Sequence, residues 1–290
     1  MSIEDNDRFF RFLFEEIGVR GEIVSMDSSW QAAQSMHQYP NVVAKQLGES
    51  LAASLLLSAT LKFKGSLIFQ IQGKGPISML VAQATDQHTV RGLAHWKGDV
   101  KEGHLKQIFG EGHLALTIKP DKGESYQGIV GLEGNTLSDA IQTYFSQSEQ
   151  LKTRVWFAVD GQRSVGLMLQ ELPAHKGKLA DWERVEMLAD TITDQELLGL
   201  SVREIIFRLF HEETVRIYEP EPVSFKCDCS KEKVESSLIT LGHQELISLL
   251  EEKGLVEVDC DFCNRHFHFD AVDIEQLFSI GRSGGSTTHH

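Results

Sequence analysis

No cysteine occurs in the first 226 residues of this 290-residue chain; all four lie in two close pairs, Cys227-Asp-Cys229 and Cys260-Asp-Phe-Cys263. A long hydrophobic run is missing as well. The most apolar stretch, residues 51–61, is about half the length that a bilayer core requires, so no membrane partner is expected. The opening residues, Met1-Ser-Ile-Glu-Asp-Asn-Asp7, are acidic where a secretory signal is basic. The expected location is therefore the cytoplasm, where thiols are kept reduced and cysteines serve as metal ligands or redox sensors more often than as structural disulfides. Basic residues are also in deficit. With 28 of them against 42 acidic residues the net charge is −14, the opposite of what a phosphate-tracking protein carries, and no nucleic-acid partner is expected. No Ser/His/Asp order and no paired carboxylates stand out in the main domain, so no catalytic residue is assigned and no enzyme is expected.

What is present is ordinary globular material, 41% apolar and 24% charged. The charge is uneven: residues 1–178 carry a net −1, residues 179–222 a net −7 and residues 223–290 a net −6. The shift marks a boundary near residues 173–178. Four regions follow: a main α+β domain over 1–178, an acidic helical switch segment over 179–225, a small zinc-binding domain over 226–279 and a disordered tail over 280–290. The terminal His289 and His290 read equally as native residues or as a tag remnant.

In the main domain, Ala44, Leu47, Leu51, Leu55 and Ala59 recur at helical spacing, which predicts a helix over 41–63 with Asn41 as its N-cap. Apolar or alternating runs predict strands over 67–71, 78–84, 90–96, 113–119, 126–132, 154–159 and 166–172. A second helix is predicted over 137–150, opened by a capping box of Thr136 and Asp139, with Ile141, Tyr144 and Phe145 facing inward. Strands in runs with helices between the groups give an α+β fold, not a doubly wound α/β sheet. Gly73-Lys-Gly75-Pro lacks the third glycine of a dinucleotide fingerprint, and Pro76 denies that loop a donor, so it reads as a turn between strands.

From 179 to about 218 the pattern is helical and acidic. Trp182, Val185, Leu188, Ala189 and Ile192 form one apolar stripe, and Ile205, Ile206, Leu209 and Phe210 form another. Both are expected to pack on the main domain at rest; Trp182, Val185, Leu188, Ile192, Ile206 and Phe210 are the candidate switch and client-surface residues. Glu219-Pro-Glu-Pro222 reads as a semi-rigid hinge. Beyond Cys229, Ser230 caps a helix to about Leu241, a second helix covers 244–253, 255–259 and 266–269 alternate as arms of a hairpin, and a last helix covers 271–278.

Two thiolates one or two residues apart can face one tetrahedral centre. In Cys227-x-Cys229 the extended period of two puts both sulfurs on one side, and in Cys260-x-x-Cys263 a tight turn does the same. Four sulfurs with no open position imply a closed structural zinc site, one Zn2+ per chain. His266 and His268 are rival ligands whose alternation with phenylalanines also fits the surface of a hairpin arm. A domain of this size has a marginal core, whereas structural zinc contributes about 10–16 kcal/mol of apparent binding energy to the folded form alone. Oxidising the sulfurs removes that contribution, and the acidic segment then loses its support and exposes its stripes.

Several stretches carry a resemblance to a known family. They are Tyr126-Gln-Gly-Ile-Val-Gly-Leu-Glu-Gly-Asn-Thr-Leu137, Tyr144-Phe-Ser-Gln-Ser-Glu-Gln-Leu151 and Gly166-Leu-Met-Leu-Gln-Glu-Leu-Pro173. Further on come Phe210-His-Glu-Glu-Thr-Val-Arg-Ile-Tyr-Glu-Pro220, Phe225-Lys-Cys-Asp-Cys-Ser230 and Val258-Asp-Cys-Asp-Phe-Cys-Asn264. With Cys-x-Cys followed by Cys-x-x-Cys at this spacing, the chain resembles the redox-regulated holdase chaperones of the heat shock protein 33 (HslO) family over nearly its whole length. The resemblance implies an ATP-independent holdase that is inactive when reduced and zinc-bound. It implies activation by oxidants through zinc loss and two disulfides, Cys227–Cys229 and Cys260–Cys263, with unfolding of the middle segment. It also implies an active homodimer that binds partly unfolded client proteins under oxidative and heat stress. The alternative reading is a thiol–disulfide oxidoreductase using Cys260 and Cys263, which would need a βα context with the first cysteine at a helix N-terminus.

Overall fold

The chain opens with a hairpin, β1 (Arg8–Phe14) and β2 (Val19–Met26), followed by α1 (Ser28–Ser35) and the long α2 (Asn41–Ser58). Strands β3 (Gly65–Gly73), β4 (Ile77–Thr85) and β5 (Thr89–Trp96) lead through α3 (Leu105–Phe109) into β6 (Gly112–Pro120) and β7 (Tyr126–Gly131). Next come α4 (Leu137–Tyr144), a π-helical turn at Phe145–Glu149, β8 (Thr153–Val159) and β9 (Ser164–Glu171). The acidic part supplies α5 (Leu179–Ala189), α6 (Asp194–Gly199) and α7 (Val202–Phe210), then three short strands, β10 (Val215–Ile217), β11 (Glu221–Pro222) and β12 (Ser224–Phe225). The remainder is α8 (Lys231–Leu241), α9 (His243–Lys253), β13 (Val256–Asp259), β14 (His266–Phe269) and α10 (Ala271–Arg282). This computed structural model describes residues 5–59, 64–172 and 179–282. The chain forms two compact units, Met1–Lys226 and Cys227–His290. The fold is α+β, and no helix among the described residues is long and apolar enough to cross a membrane.

The first unit is built on two six-stranded sheets. One has the order β10-β1-β2-β9-β8 with β11 also on β1, and the other has the order β12-β5-β4-β3-β6-β7. Helix α2 packs on strands of both sheets, which is why residues from Val43 to Ser58 are buried all round the helix apart from Lys45. Close approach needs a bare backbone at Gly166 in β9, where a Cβ would meet Leu56 at 2.9 Å and Ala52 at 3.1 Å.

The first sheet is buried on both faces. Phe9, Val24, Met26 and Met168 face the α2 core. On the other face, Phe10, Phe12, Phe14, Ile23, Val165, Leu167 and Leu169 form a second core with α5–α7. A strand covered on both sides reads as a continuous apolar run, and Ser164–Glu171 is buried at every position but the last. Gly21 in β2 makes room for Phe12, whose ring lies 1.9 Å from where a Cβ would stand.

Several expectations are corrected here. Pro40, not Asn41, holds the N-cap position of α2; Asn41 is its first helical residue. The helix ends at Ser58, and the expected extension over 60–63 lies outside the described residues. Residues 215–217 are strand, not the end of a helix, because β1 offers them an edge to pair with. The Glu219–Pro222 hinge is not a free linker: Glu221 and Pro222 pair with Phe9 and Arg8 of β1, an edge position that tolerates proline because no ladder donor is needed there. The expected tail begins too early, since α10 runs through Arg282. The boundary at 173–178 and the tail over 283–290 fall outside the described residues.

One buried carboxyl gives the first unit a pH signature. Glu22 is 2% exposed with Oε2 unpartnered, and burial pushes it from 4.5 up to about 7 against the pull of Arg20 and Arg11. The folded form therefore holds a proton between those two values that the unfolded chain has already lost, so stability falls as pH rises through that window. Glu22→Gln is expected to gain up to about 3 kcal/mol over the parent at pH 8 and little at pH 5. Trp30, Trp96, Trp156 and Trp182 all lie in the first unit, so urea unfolding followed by tryptophan fluorescence reads it directly. An advantage of equal size at both pH values would contradict this assignment.

Candidate metal centre

Each cysteine pair is held by local backbone structure in the second unit. Cys227 and Cys229 lie outside regular secondary structure just before Ser230, whose hydroxyl caps α8 by accepting from the Lys233 N–H. Cys260 to Asn264 form the turn of the β13–β14 hairpin. Cys260 N–H donates to Arg265 O at 3.0 Å, and the N–H groups of Cys263 and Asn264 return to Cys260 O at 3.2 and 2.7 Å. Asn264 takes the left-handed conformation, φ 52°, which asparagine tolerates. Beneath these loops lies a small core of Leu238, Leu246, Val256, Phe269 and Ile274.

The two loops bring all four sulfurs within 4.8 Å of one another. Cys227 Sγ is 3.7 Å from Cys260 Sγ, and Cys229 Sγ is 3.5 Å from Cys263 Sγ. A tetrahedron with metal–sulfur bonds of about 2.3 Å has sulfur–sulfur edges of about 3.8 Å, so the donor set fits one tetrahedral soft cation. All four are free thiols and half-buried. Burial, and then hydrogen bonding with the other thiols, holds Cys229 well above its usual pKa. Burial likewise raises Cys260, although the backbone N–H groups of Phe262 and Cys263 pull the other way. A divalent cation at this centre would convert Cys229 and Cys260 to thiolates despite that burial, because its charge reverses the local balance.

The rival ligands are turned elsewhere. His266 pairs through Nδ1 with Asp259, its cross-strand neighbour, and His268 lies 3.5 Å from Glu257 in the same way; all four side chains are exposed. Among the described residues, the four cysteines are the one group of three or more His, Cys, Asp or Glu whose ligand atoms converge. Of the acids beside the sulfurs, Asp228 forms an ion pair with Lys233, and Asp259 is hydrogen-bonded to His266. The Cys260–Cys263 turn runs into β14 and not into a helix, so it lacks the helix N-terminus that lowers a redox-catalytic thiol.

The candidate switch residues sit in the first unit. Trp182, Val185, Ile206 and Phe210 are buried in the second core, with Leu188 and Ile192 packed against it. The Phe210 ring meets Phe14 edge-on with centroids 4.9 Å apart. Burying each such side chain is worth roughly 1.5–3 kcal/mol. Arg154 of β8 reaches over to Glu186 and Asp190, so part of the segment's negative charge is met by the sheet it covers. Sequence reasoning missed the residues underneath, Phe10, Phe12 and Phe14, although the alternation in Arg-Phe-Phe-Arg-Phe-Leu-Phe at 8–14 marks a strand.

An α+β body joined to a four-cysteine unit of this geometry defines a class, and the chain belongs to it: it matches the Hsp33 protein family over residues 7–270 and is a member of that family of chaperones. The "33 kDa chaperonin" of Nitrosococcus oceani is 56% identical over 277 residues, covering 96% of each chain. That of Vibrio cholerae is 42% identical over 289 residues, covering 98% of this chain and 99% of its own. The crystal structure of the 33 kDa chaperonin (heat shock protein 33 homolog) from Thermotoga maritima has the same fold, with a TM-score of 0.84 at 24% identity over 96% of this chain and 99% of that one.

Proposed function

We propose that this chaperone is an ATP-independent, redox-regulated holdase of the cytoplasm whose resting form is latched by one Zn2+ on Cys227, Cys229, Cys260 and Cys263. The observation that carries the reading is the convergence of four half-buried sulfurs within 4.8 Å. The core of that unit has five buried apolar side chains among the described residues, too few to hold the unit without help.

Oxidation closes Cys227–Cys229 and Cys260–Cys263 and releases the metal. Each disulfide closes a loop of only a few residues, worth about 1–2 kcal/mol by loop entropy. Neither joins the two loops that the metal had joined. In the reduced form sulfurs meet between the loops, Cys227 with Cys260 and Cys229 with Cys263, so the exchange of metal for disulfides within each loop removes the cross-link. The unit unfolds, and Cys227, one residue beyond Lys226, no longer anchors the segment 179–225.

That segment is the switch. Its helices leave the first sheet and uncover Phe10, Phe12, Phe14, Ile23, Val165, Leu167 and Leu169, a contiguous apolar face that partly unfolded proteins can share. The released form acts as a homodimer. The expected result is that the reduced protein carries one zinc with sulfur-only coordination by X-ray absorption and leaves a thermally unfolding client to aggregate. After peroxide treatment at elevated temperature it loses the zinc and suppresses aggregation at near-stoichiometric ratios. Suppression of equal strength by the reduced, zinc-loaded protein would overturn the redox control.

A further inference from the structure

The segment that joins α7 to Cys227 is seated as added strand on both sheets of the first unit. Strand β10 pairs antiparallel with β1 in the register Phe12↔Ile217, Leu13↔Arg216 and Phe14↔Val215. The ladder extends at both ends, where Tyr218 N–H donates to Arg11 O at 2.9 Å and Glu15 N–H donates to Thr214 O at 3.2 Å. Farther along, β11 pairs with β1 and β12 pairs parallel with β5, with Lys226 N–H on Val90 O at 3.0 Å. These strands have three, two and two residues.

Such short strands carry little stability of their own. Val215 and Ile217 are half-buried against the second core that α5–α7 complete, and the Glu221 carboxylate is held by Arg11 at 3.0 Å and His88 at 3.5 Å. Once the helices leave, as the proposed function requires, the three-residue strand loses the core beneath it. The outer edge of β1 then stands bare. Antiparallel alternation places the N–H and C=O of Leu13 on that edge, between the outward-pointing Arg11 O and Glu15 N–H. Beside the edge lie the apolar face of Phe10, Phe12 and Phe14 and the cationic side chains of Arg8 and Arg11.

We propose that the released β1 edge captures an extended segment of the unfolded client as an added antiparallel strand, in the register that residues 214–218 hold at rest. This inference rests on release of the 179–225 segment. Backbone pairing suits a binder that must accept many sequences, because every unfolded chain offers the same N–H and C=O groups. The resting occupant shows what side chains fit. Val215 and Ile217 turn toward the core, Arg216 turns away, and an acid farther along meets Arg11. The preferred client segment thus alternates apolar and polar residues and carries an acidic residue near one end. Such an edge is a strong pairing template, and at rest the chain keeps it filled with its own strand.

The test uses the full-length oxidised protein and a chemically unfolded model client, with residue-resolved amide exchange. On adding client, the Leu13 and Glu15 amides should gain at least tenfold protection while the amides of Arg216 and Tyr218 stay open. A synthetic peptide of residues 212–221 should compete with client capture, and the same peptide N-methylated at Arg216 should compete at least tenfold more weakly. Client held with Leu13 and Glu15 still unprotected would overturn the edge proposal and leave the proposed function standing. Protection that appears without client and grows with protein concentration would assign the edge to a second copy of the chain, and would overturn the client assignment. If the amides of Arg216 and Tyr218, which face β1 at rest, stay protected after oxidation, the segment never leaves, and the switch reading falls with the edge proposal.

Discussion

Ile206→Asp is expected to turn the protein on without any oxidant. Ile206 is 5% exposed on the inner side of α7, within the core shared with Phe10, Phe12 and Phe14. The substitution forfeits roughly 1.5–3 kcal/mol of burial and leaves a carboxylate in apolar surroundings, which costs several kcal/mol more or forces the helix out. Ordering backbone costs roughly 1–2 kcal/mol per residue, so a 44-residue acidic segment of net charge −7 has little margin to absorb such a loss. The variant should suppress client aggregation while reduced, with zinc content unchanged. Phe207→Asp is the matched control. Its side chain is 72% exposed on the same helix, so it adds the same charge and should leave the resting state inactive. If Ile206→Asp stays inactive although α7 amides exchange freely, uncovering this face is not what activates the protein.

The second large effect is expected from the metal. Cys229→Ser removes one of four thiolates from the proposed zinc site, and structural zinc contributes about 10–16 kcal/mol of apparent energy to the folded form alone. Five buried side chains do not replace that. The variant should bind zinc orders of magnitude more weakly and lose the helices α8, α9 and α10, of 11, 11 and 12 residues, seen as a drop in circular dichroism at 222 nm. Tryptophan fluorescence from the β-sheet body should show that the first unit's α2 core survives. Retention of full helicity with zinc absent would mean that the small core holds by itself and that the metal is no latch.

The cysteine constellation was legible in the sequence because its information is local. Spacings of two and three residues decide which way neighbouring sulfurs face, and the hairpin and capped helix between them are signalled by Ser230, Gly242 and Gly254. The strands from β3 to β9 were legible for the same reason, most displaying a period of two and β9 a continuous apolar run. The stripes of α5 and α7 announced a buried face, but not what they bury. Their partner is a face shared by β1, β2 and β9, in which residues 19–26 pair with 8–14 on one side and with 164–171 on the other, and no local pattern reports a pairing across that distance. Residues 215–225 misled for a physical reason. Three-residue strands are too short to show alternation, and Glu219-Pro-Glu-Pro222 reads as a hinge until the edge of β1 supplies a partner that requires no proline donor.

In the proposed mechanism, metal loss at the four cysteines frees residues 179–225, and this release creates the chaperone. The most direct test follows amide exchange in α5–α7, zinc release and suppression of client aggregation in one sample as peroxide is titrated at elevated temperature. Protection at Val185, Ile206 and Leu209 should be lost along with the zinc, the α2 core should stay protected, and holdase activity should rise in proportion to the unprotected fraction. Activity that rises while Val185, Ile206 and Leu209 remain protected would contradict this mechanism.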